Sequence, residues 1–298
     1  MIPRNSVRLL GFAALAAMLT ACALVSTDPS PSPSPQNPRP TPGRIPAPST
    51  LIHPGTITFL SDTTYPPQES IDPSTNKAVG FDVDIANALA SRMGLTATIT
   101  TANFDDSINA LLAGQGDAII SAMTVTPERQ KSVAFVGYFT AGQSILVRKG
   151  NPLQIHGLSD LCGHTVAVEL STTEQATLAA TNSATCNGRP ITIQAFKTDA
   201  EAVQKLKDGS ASAAMDDSPV AAYYVQQAPA DFELAGQPVQ SQVEGMAVNP
   251  KNRELLGALQ QAMIAIMADG SYHKLLAKWN LLIGEIPPSQ VVITGTAG

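Results

Sequence analysis

The chain predicts an α/β protein of two similar lobes, preceded by about 50 residues that belong to neither. Two observations carry this expectation. A strand–helix–strand pattern occurs twice, and within it Leu111-x-x-Gly114-x-x-Asp117-Ala118 matches Leu206-x-x-Gly209-x-x-Ser212-Ala213. Two βαβ units of one kind in a single chain point to two packed α/β lobes. The second observation is size: about 245 residues follow the leader, more than one hydrophobic core usually encloses.

The first 21 residues read as an export signal. Arg4 and Arg8 supply a positive start, Leu9 to Leu19 an apolar stretch, and small residues precede Cys22. That stretch is shorter than the ~20 residues a membrane-crossing helix needs. Leu19-Thr20-Ala21-Cys22 reads as a lipobox, in which Cys22 is acylated and becomes the new N-terminus. An ordinary secretory signal with an incidental cysteine is the alternative. Residues 22–50 then form a Pro/Ser-rich tether. Proline at alternate positions after Asp28 favours an extended polyproline II chain, rising ~3.1 Å per residue. Such a segment spaces a domain from a lipid anchor, and a proline-rich recognition ligand is its other reading.

Loss of Arg4 and Arg8 with the leader leaves 16 basic against 24 acidic residues, a net charge of −8. This balance, with no basic stripe, argues against a nucleic-acid partner. No segment after the leader reads as a membrane span, so lipid contact is expected only through Cys22. In an exported chain the two remaining cysteines, Cys162 and Cys186, pair naturally as a disulfide; two unrelated buried thiols are the alternative. The four histidines show no ligand spacing, so neither metal nor cofactor is expected.

In order along the chain, Thr56-Ile57-Thr58-Phe59-Leu60 alternates and reads as a strand ending in the polar turn Ser61–Tyr65. Asp82 to Met93 reads as a helix: Phe81, Ile85, Leu89 and Met93 recur every four residues, and Gly94 closes it. Asp82 and Asp84 lie at its start, where carboxylates complement the helix dipole, so they are read as scaffold. A strand Thr96–Thr101 leads to Phe104, then a helix with Ile108, Leu111 and Leu112 inward, then a buried strand Asp117–Ser121. The second lobe repeats the pattern: a strand Thr165–Glu169, a strand Ile191–Ala195, a helix from Asp199 and a strand Ala211–Met215. Phe139–Val147 reads as the crossing into this lobe and Ser241–Val248 as the return. The amphipathic helix Glu254–Met267 and the short helix Ser271–Trp279 complete the chain, with Trp279 expected in the core.

Several motifs fall in a specific order. Tyr65-Pro66-Pro67 stands 15 residues before Gly80-Phe81-Asp82-Val83-Asp84-Ile85-Ala86-Asn87-Ala88-Leu89. Phe104 and Ser121-Ala122-Met123-Thr124-Val125-Thr126-Pro127-Glu128-Arg129 follow. From Thr56 to Trp279 the sequence resembles extracellular solute-binding proteins, family 3, the substrate-binding lipoproteins of amino-acid ABC importers. The resemblance implies the two-lobed periplasmic-binding-protein-like fold of type II. It places lobe 1 at 51–140 and 245–298, lobe 2 at 145–240, and a two-strand hinge near 141–144 and 241–244.

The resemblance also implies a site. Arg129 would grip the ligand α-carboxylate through its planar fork, helped by Ser121, Ala122 and Thr124. Asp217, or its neighbour Asp216, would hold the α-ammonium from the opposite lobe. Ser171, Thr172 and Thr173 match a loop that contacts the ligand, and Tyr65 and Phe104 match two aromatics that flank its side chain. Asp62, Glu169 and Asp216 would line the distal end. Three acids with no nearby base there favour a basic side chain, with glutamine or asparagine next, because an acidic tail would meet like charge. Gln68, where an aromatic is common, and Ser212, where an aspartate is usual, depart from the pattern. The expected partners are a free amino acid, the permease subunits of an ABC importer and, through Cys22, the outer face of the bacterial cytoplasmic membrane. The protein is expected to act as a monomer. A lipid-anchored amino-acid sensor is the first alternative. A dehydratase or lyase on the same fold is the second; it would need a positioned acid or base beyond the binding set.

Overall fold

A computed structural model describes residues 45–295. The expected export signal, the expected lipidation site Cys22 and most of the expected tether lie outside these residues. In order, the strands and helices are β1 (Thr56–Ser61), β2 (Thr64–Tyr65), β3 (Glu69–Asp72), β4 (Lys77–Val79), α1 (Phe81–Met93), β5 (Thr96–Thr101), α2 (Ser107–Leu112), β6 (Ala118–Ile119) and β7 (Ala134–Arg148). There follow β8 (Thr165–Glu169), α3 (Thr173–Ala184), β9 (Thr192–Phe196), α4 (Asp199–Lys207), β10 (Ala213–Asp217), α5 (Ser218–Gln227), β11 (Phe232–Val248), α6 (Arg253–Ala268), α7 (Ser271–Trp279) and β12 (Ile293–Thr294).

The main sheet runs β5-β1-β6-β11-β7-β10-β8-β9, with β12 beside β7. Two antiparallel strands, β7 and β11, are long enough to serve both lobes. Their N- and C-terminal ends respectively pair Val136 with Met246 and Phe135 with Ala247 in lobe 1. Their other ends pair Val147 with Glu233 and Leu146 with Leu234 in lobe 2. Between these ladders the register shifts between Ala235 and Val239, between Val239 and Gln242, and between Glu244 and Gly245. The segments expected as crossings, Phe139–Val147 and Ser241–Val248, lie within these two continuous strands, the second at the C-terminal end of β11.

Each lobe has its own core. In lobe 1, Phe81, Ile85, Leu89 and Met93 of α1 are all fully buried and pack with Leu255, Leu256, Leu259, Met263 and Ile266 of α6. Burial of each such side chain is worth ~1.5–3 kcal/mol, and the four-residue spacing read in α1 exists for this reason. In lobe 2, Ile145, Val147, Val166, Val168, Leu178 and Met215 form the core beside Cys186. Gly80 begins α1 at φ 140°, and a Cβ there would stand 2.1 Å from the Gln68 carbonyl oxygen. A glycine is required by both conformation and space.

Some sequence expectations need correction. Leu112 is not inward; it is 44% exposed, because α2 is short and offers its single buried face through Ala110 and Leu111. The strand expected over Asp117–Ser121 pairs only at Ala118–Ile119, and Asp117 instead accepts hydrogen bonds from the Ile52 and Thr58 backbone amides at 2.8 and 2.7 Å. The strand expected at Ala211–Met215 lies two residues later. Asp82 does more than complement a dipole: it is fully buried and accepts from the Tyr138 hydroxyl at 2.7 Å and the Ala122 amide at 3.0 Å. Asp84 accepts from Lys278 Nζ at 2.6 Å and from Trp279 Nε1 at 2.7 Å, tying α7 to α1. Trp279 therefore packs on the lobe 1 core while its ring nitrogen stays at a polar edge.

Cys162 and Cys186 form a disulfide that ties the start of the β8 segment to the end of α3. With a sequence separation of 24, closing this loop stabilises the fold by about 3 kcal/mol in the chain-entropy picture. Cys162→Ala/Cys186→Ala is expected to lower the unfolding free energy by about that amount in urea titrations. An unchanged transition midpoint would refute this.

Candidate functional site

The site is built where strands of both lobes end. The β1 end and the turn after it supply Asp62 and Tyr65; the segment after β6 supplies Ser121, Ala122 and Thr124. The first turn of α3 and the end of β10 face them from lobe 2. One small cavity is lined by Asp62, Tyr65, Glu69, Phe104, Ser121, Ala122, Thr124, Arg129, Glu169, Thr172, Thr173, Glu174 and Asp217.

Hydrogen bonds cross the cavity rim from lobe to lobe. The Asp217 amide donates to the Tyr65 hydroxyl at 2.9 Å, and that hydroxyl lies 3.2 Å from Asp217 Oδ2. Arg129 Nη2 donates to the Ser171 carbonyl at 3.1 Å, and Nη1 to the Thr124 carbonyl at 2.8 Å. The Thr124 and Thr173 hydroxyls stand 3.5 Å apart. At the outer edge Lys197 Nζ reaches Asp105 at 2.5 Å. The guanidinium of Arg129 also lies over the Phe104 ring, 5.1 Å from its centroid, a cation–π arrangement. Two of its N–H groups are thereby held by carbonyls, and the residue lines the cavity.

Of the residues expected from the sequence, Ser171 and Asp216 do not line the cavity. Ser171 adopts a left-handed conformation with φ 67° and contributes its backbone carbonyl to Arg129. Asp216 lies one residue before Asp217 on β10, and strand alternation turns it to the opposite side. The Ala122 amide and the Ser121 hydroxyl are engaged inside the protein. The first bonds Asp82, and the second donates to Glu69 Oε1 at 2.8 Å and accepts from the Asp62 amide at 2.8 Å. Asp62 is firmly oriented, accepting from the Thr64 hydroxyl at 2.6 Å and the Phe104 amide at 3.0 Å. Thr172 caps α3 by accepting from the Gln175 amide at 3.3 Å.

Sequence reasoning missed Glu69 and Glu174. Glu174 sits in the first turn of α3, where a carboxylate has an ordinary helix-dipole explanation. Glu69 follows Pro67-Gln68 in a short strand whose burial no pattern reveals. Gln68, the departure noted above, is fully buried and its Nε2 donates to Glu244 Oε2 at 2.5 Å.

The electrostatics are lopsided. One partly buried guanidinium faces five carboxyl groups: Asp62, Glu69, Glu169, Glu174 and Asp217. Burial, then Asp62 and Asp199, pushes the Glu169 carboxyl up to about 10. Burial also raises Asp217, Glu174 and Glu69, the first with added repulsion from Glu174 and the last with repulsion from Asp82. Burial lowers Arg129. Among the described residues, no N–H or hydroxyl donor satisfies Glu169 Oε1 or Glu174 Oε1. Such oxygens call for protons or for cationic donors from a ligand.

Relatives of known role share this architecture. The chain is 31% identical over 228 residues to ABC transporter arginine-binding protein 1 of Escherichia coli, covering 75% of this chain and 90% of that one. The structure resembles an ancestral arginine-binding protein bound to arginine, with a TM-score of 0.71 and 36% identity over 76% of this chain and 98% of that one. It likewise resembles an ancestral arginine-binding protein bound to glutamine, with a TM-score of 0.71 and 35% identity over 77% and 99%. The profile of bacterial extracellular solute-binding proteins, family 3, matches residues 57–281. This chain, with its two lobes joined by two shared strands and a charged cavity between them, belongs to that family.

Proposed function

We propose that the protein captures a polar amino acid between its lobes and delivers it to an ABC importer from a lipid anchor at Cys22. A basic amino acid is favoured, with glutamine or asparagine next. In this reading lobe 1 comprises residues 51–140 and 245–298 and lobe 2 residues 145–240, hinged near 141–144 and 241–244. Arg129 and Thr124 receive the α-carboxylate, and Asp217 with Glu174 receives the α-ammonium. Tyr65 and Phe104 flank the side chain, whose far end meets Asp62 and Glu169. No reaction is assigned, because the cavity acids are accounted for by ligand charge.

The observation that carries this reading is the single guanidinium opposed to five carboxyl groups in one cavity. A zwitterion alone adds no net charge to that balance, whereas a basic amino acid adds a cation to the acidic wall. Contacts from both lobes to one ligand also make the closed arrangement bind better than an open one, which is the requirement for ligand-driven closure.

Titration calorimetry should give tighter binding for arginine or lysine than for glutamine, and glutamate the weakest of the four. Glutamate binding far more tightly than the other three would overturn the reading. Arg129→Ala should weaken every ligand by about a hundredfold or more, since charge-assisted hydrogen bonds are worth ~1.5–3 kcal/mol each and all amino acids share the carboxylate. Retained affinity would exclude Arg129 from the site. The raised Glu169 carboxyl holds its proton more tightly when folded than when unfolded. Its stabilising contribution is therefore complete below about 4.5 and is lost as pH rises toward about 10. Thermal unfolding of the ligand-free protein should decline across that window, and Glu169→Gln should flatten the decline. A decline equally steep in the variant would show that Glu169 does not titrate in this way.

A further inference from the structure

We propose that Asp199 and Asp216, which lie outside the cavity lining, set the preference of the site for a cationic side chain over a neutral one. This rests on the amino-acid-binding reading above and deepens it. The two residues come from different elements and meet only in the fold: Asp199 opens α4 and Asp216 stands near the end of β10, both buried.

Their placement follows from strand register. β10 and β8 are parallel, with Ala213 beside Val166 and Ala214 beside Ala167. The ladder ends there; Asp216 lies two residues beyond Ala214 and Glu169, the acid at the cavity wall, two beyond Ala167, so strand alternation puts both on the same face of the sheet. α4 packs across both strands on this face, where Ala167 meets Ala202 and Ala214 packs with Val203 and Leu206. Glu169, Asp199 and Asp216 therefore share one side of lobe 2, at the strand ends turned toward lobe 1. α4 also packs against β2, which carries Tyr65. Asp62 completes the group from lobe 1 and acts electrostatically on both Glu169 and Asp199.

The pair lacks ordinary partners. All four oxygens of Asp199 and Asp216 are shielded from solvent, and no backbone amide or cationic side chain among the described residues donates to them. They act on each other electrostatically, and the Tyr224 hydroxyl of α5 acts on Asp199. Burial raises both carboxyl groups, and Asp199 adds to the rise at Asp216. No ion pair among the described residues involves Asp62, Glu169, Asp199 or Asp216. Lys197 is engaged by Asp105, and Arg129 by the Thr124 and Ser171 carbonyls and the Phe104 ring.

A carboxyl cluster of this kind has two ways to remain buried. It keeps protons, or it gains a cation. A neutral amide tail beside Glu169 leaves the protons in place. An ammonium or guanidinium tail displaces protons to the buffer, and every carboxylate within reach then attracts it. Because Coulomb energy falls only as the inverse of distance in a poorly screened interior, a carboxylate one layer behind Glu169 still contributes about tenfold in affinity. Asp199 and Asp216 thus act as specificity-determining residues that need not touch the ligand.

The test is calorimetry on the purified protein with arginine and glutamine, before and after Asp216→Asn and Asp199→Asn. Each variant should reduce the ratio of glutamine Kd to arginine Kd by about tenfold, ~1.4 kcal/mol, while glutamine affinity changes little. A purely structural role would weaken both ligands together and leave the ratio unchanged; that result in both variants overturns the proposal. A second readout needs no substitution. In two buffers of different ionisation enthalpy, arginine should release more protons on binding the wild-type protein than glutamine does, and equal release overturns the proposal. A wild-type protein that prefers glutamate or binds no amino acid defeats the underlying reading. Preference for arginine with an unaltered ratio in the variants defeats only the role given to Asp199 and Asp216.

Discussion

The antiparallel pairing of β7 with β11 is the constraint on which the rest of the molecule depends. These strands, 15 and 17 residues long, are members of the sheet in both lobes. Their hydrogen bonds fix how the lobes face each other, and the register shifts near the middle are where regular pairing lapses. Only with the lobes so aligned can Tyr65 meet Asp217, 152 positions later, or Arg129 meet Ser171, 42 positions later. Each such contact closes a long loop, and the entropy of closure is shared because the same two strands hold all of them.

The second determinant is desolvation. An isolated carboxylate under these conditions would be strongly unfavourable, and the protein answers in two distinct ways. Beneath Ala122, the Asp82 carboxyl is raised by burial to about 6 yet is held by Tyr138 and the Ala122 amide. Glu69 and Glu244 complete that network through Ser121 and Gln68. Its effect is positional: it holds Ala122 at φ 46°, a left-handed conformation uncommon for alanine, and so sets the path of the chain toward Thr124 and Arg129. Around Glu169 the acids have few donors, so their balance depends on protons and on what enters the cavity. One cluster of buried acids is thus a scaffold and the other is responsive to charge.

Much of the fold was legible because its local signals agree with its packing. The four-residue apolar repeat of α1, the Ser271–Trp279 helix and the Thr96–Thr101 and Thr165–Glu169 strands appear where the pattern put them. The strands Asp117–Ser121 and Ala211–Met215 were less legible. The apolar run of the first continues beyond its paired residues, the pairing of the second runs on into Asp216 and Asp217, and pairing depends on a neighbour that no local window contains. At the site, Arg129, Tyr65, Phe104 and Asp217 were recognisable from motif order, and the structure gathers them at one cavity. Glu69 and Glu174 were not, since acids at a strand start or in a first helical turn have everyday explanations.

Local sequence alone determined most of the longer strands and helices and which residue types are available for a charged ligand, because those properties depend on short-range periodicity and side-chain chemistry. Tertiary structure alone decided which carboxyl groups lose water. Asp84 and Asp82 are two residues apart on one helix, yet one pairs with Lys278 at the surface and the other is fully buried. Asp216 and Asp217 are adjacent, yet strand alternation sends one to α4 and the other to the cavity. Burial is a property of what packs against a side chain, and here those neighbours come from strands, loops and helices elsewhere in the chain.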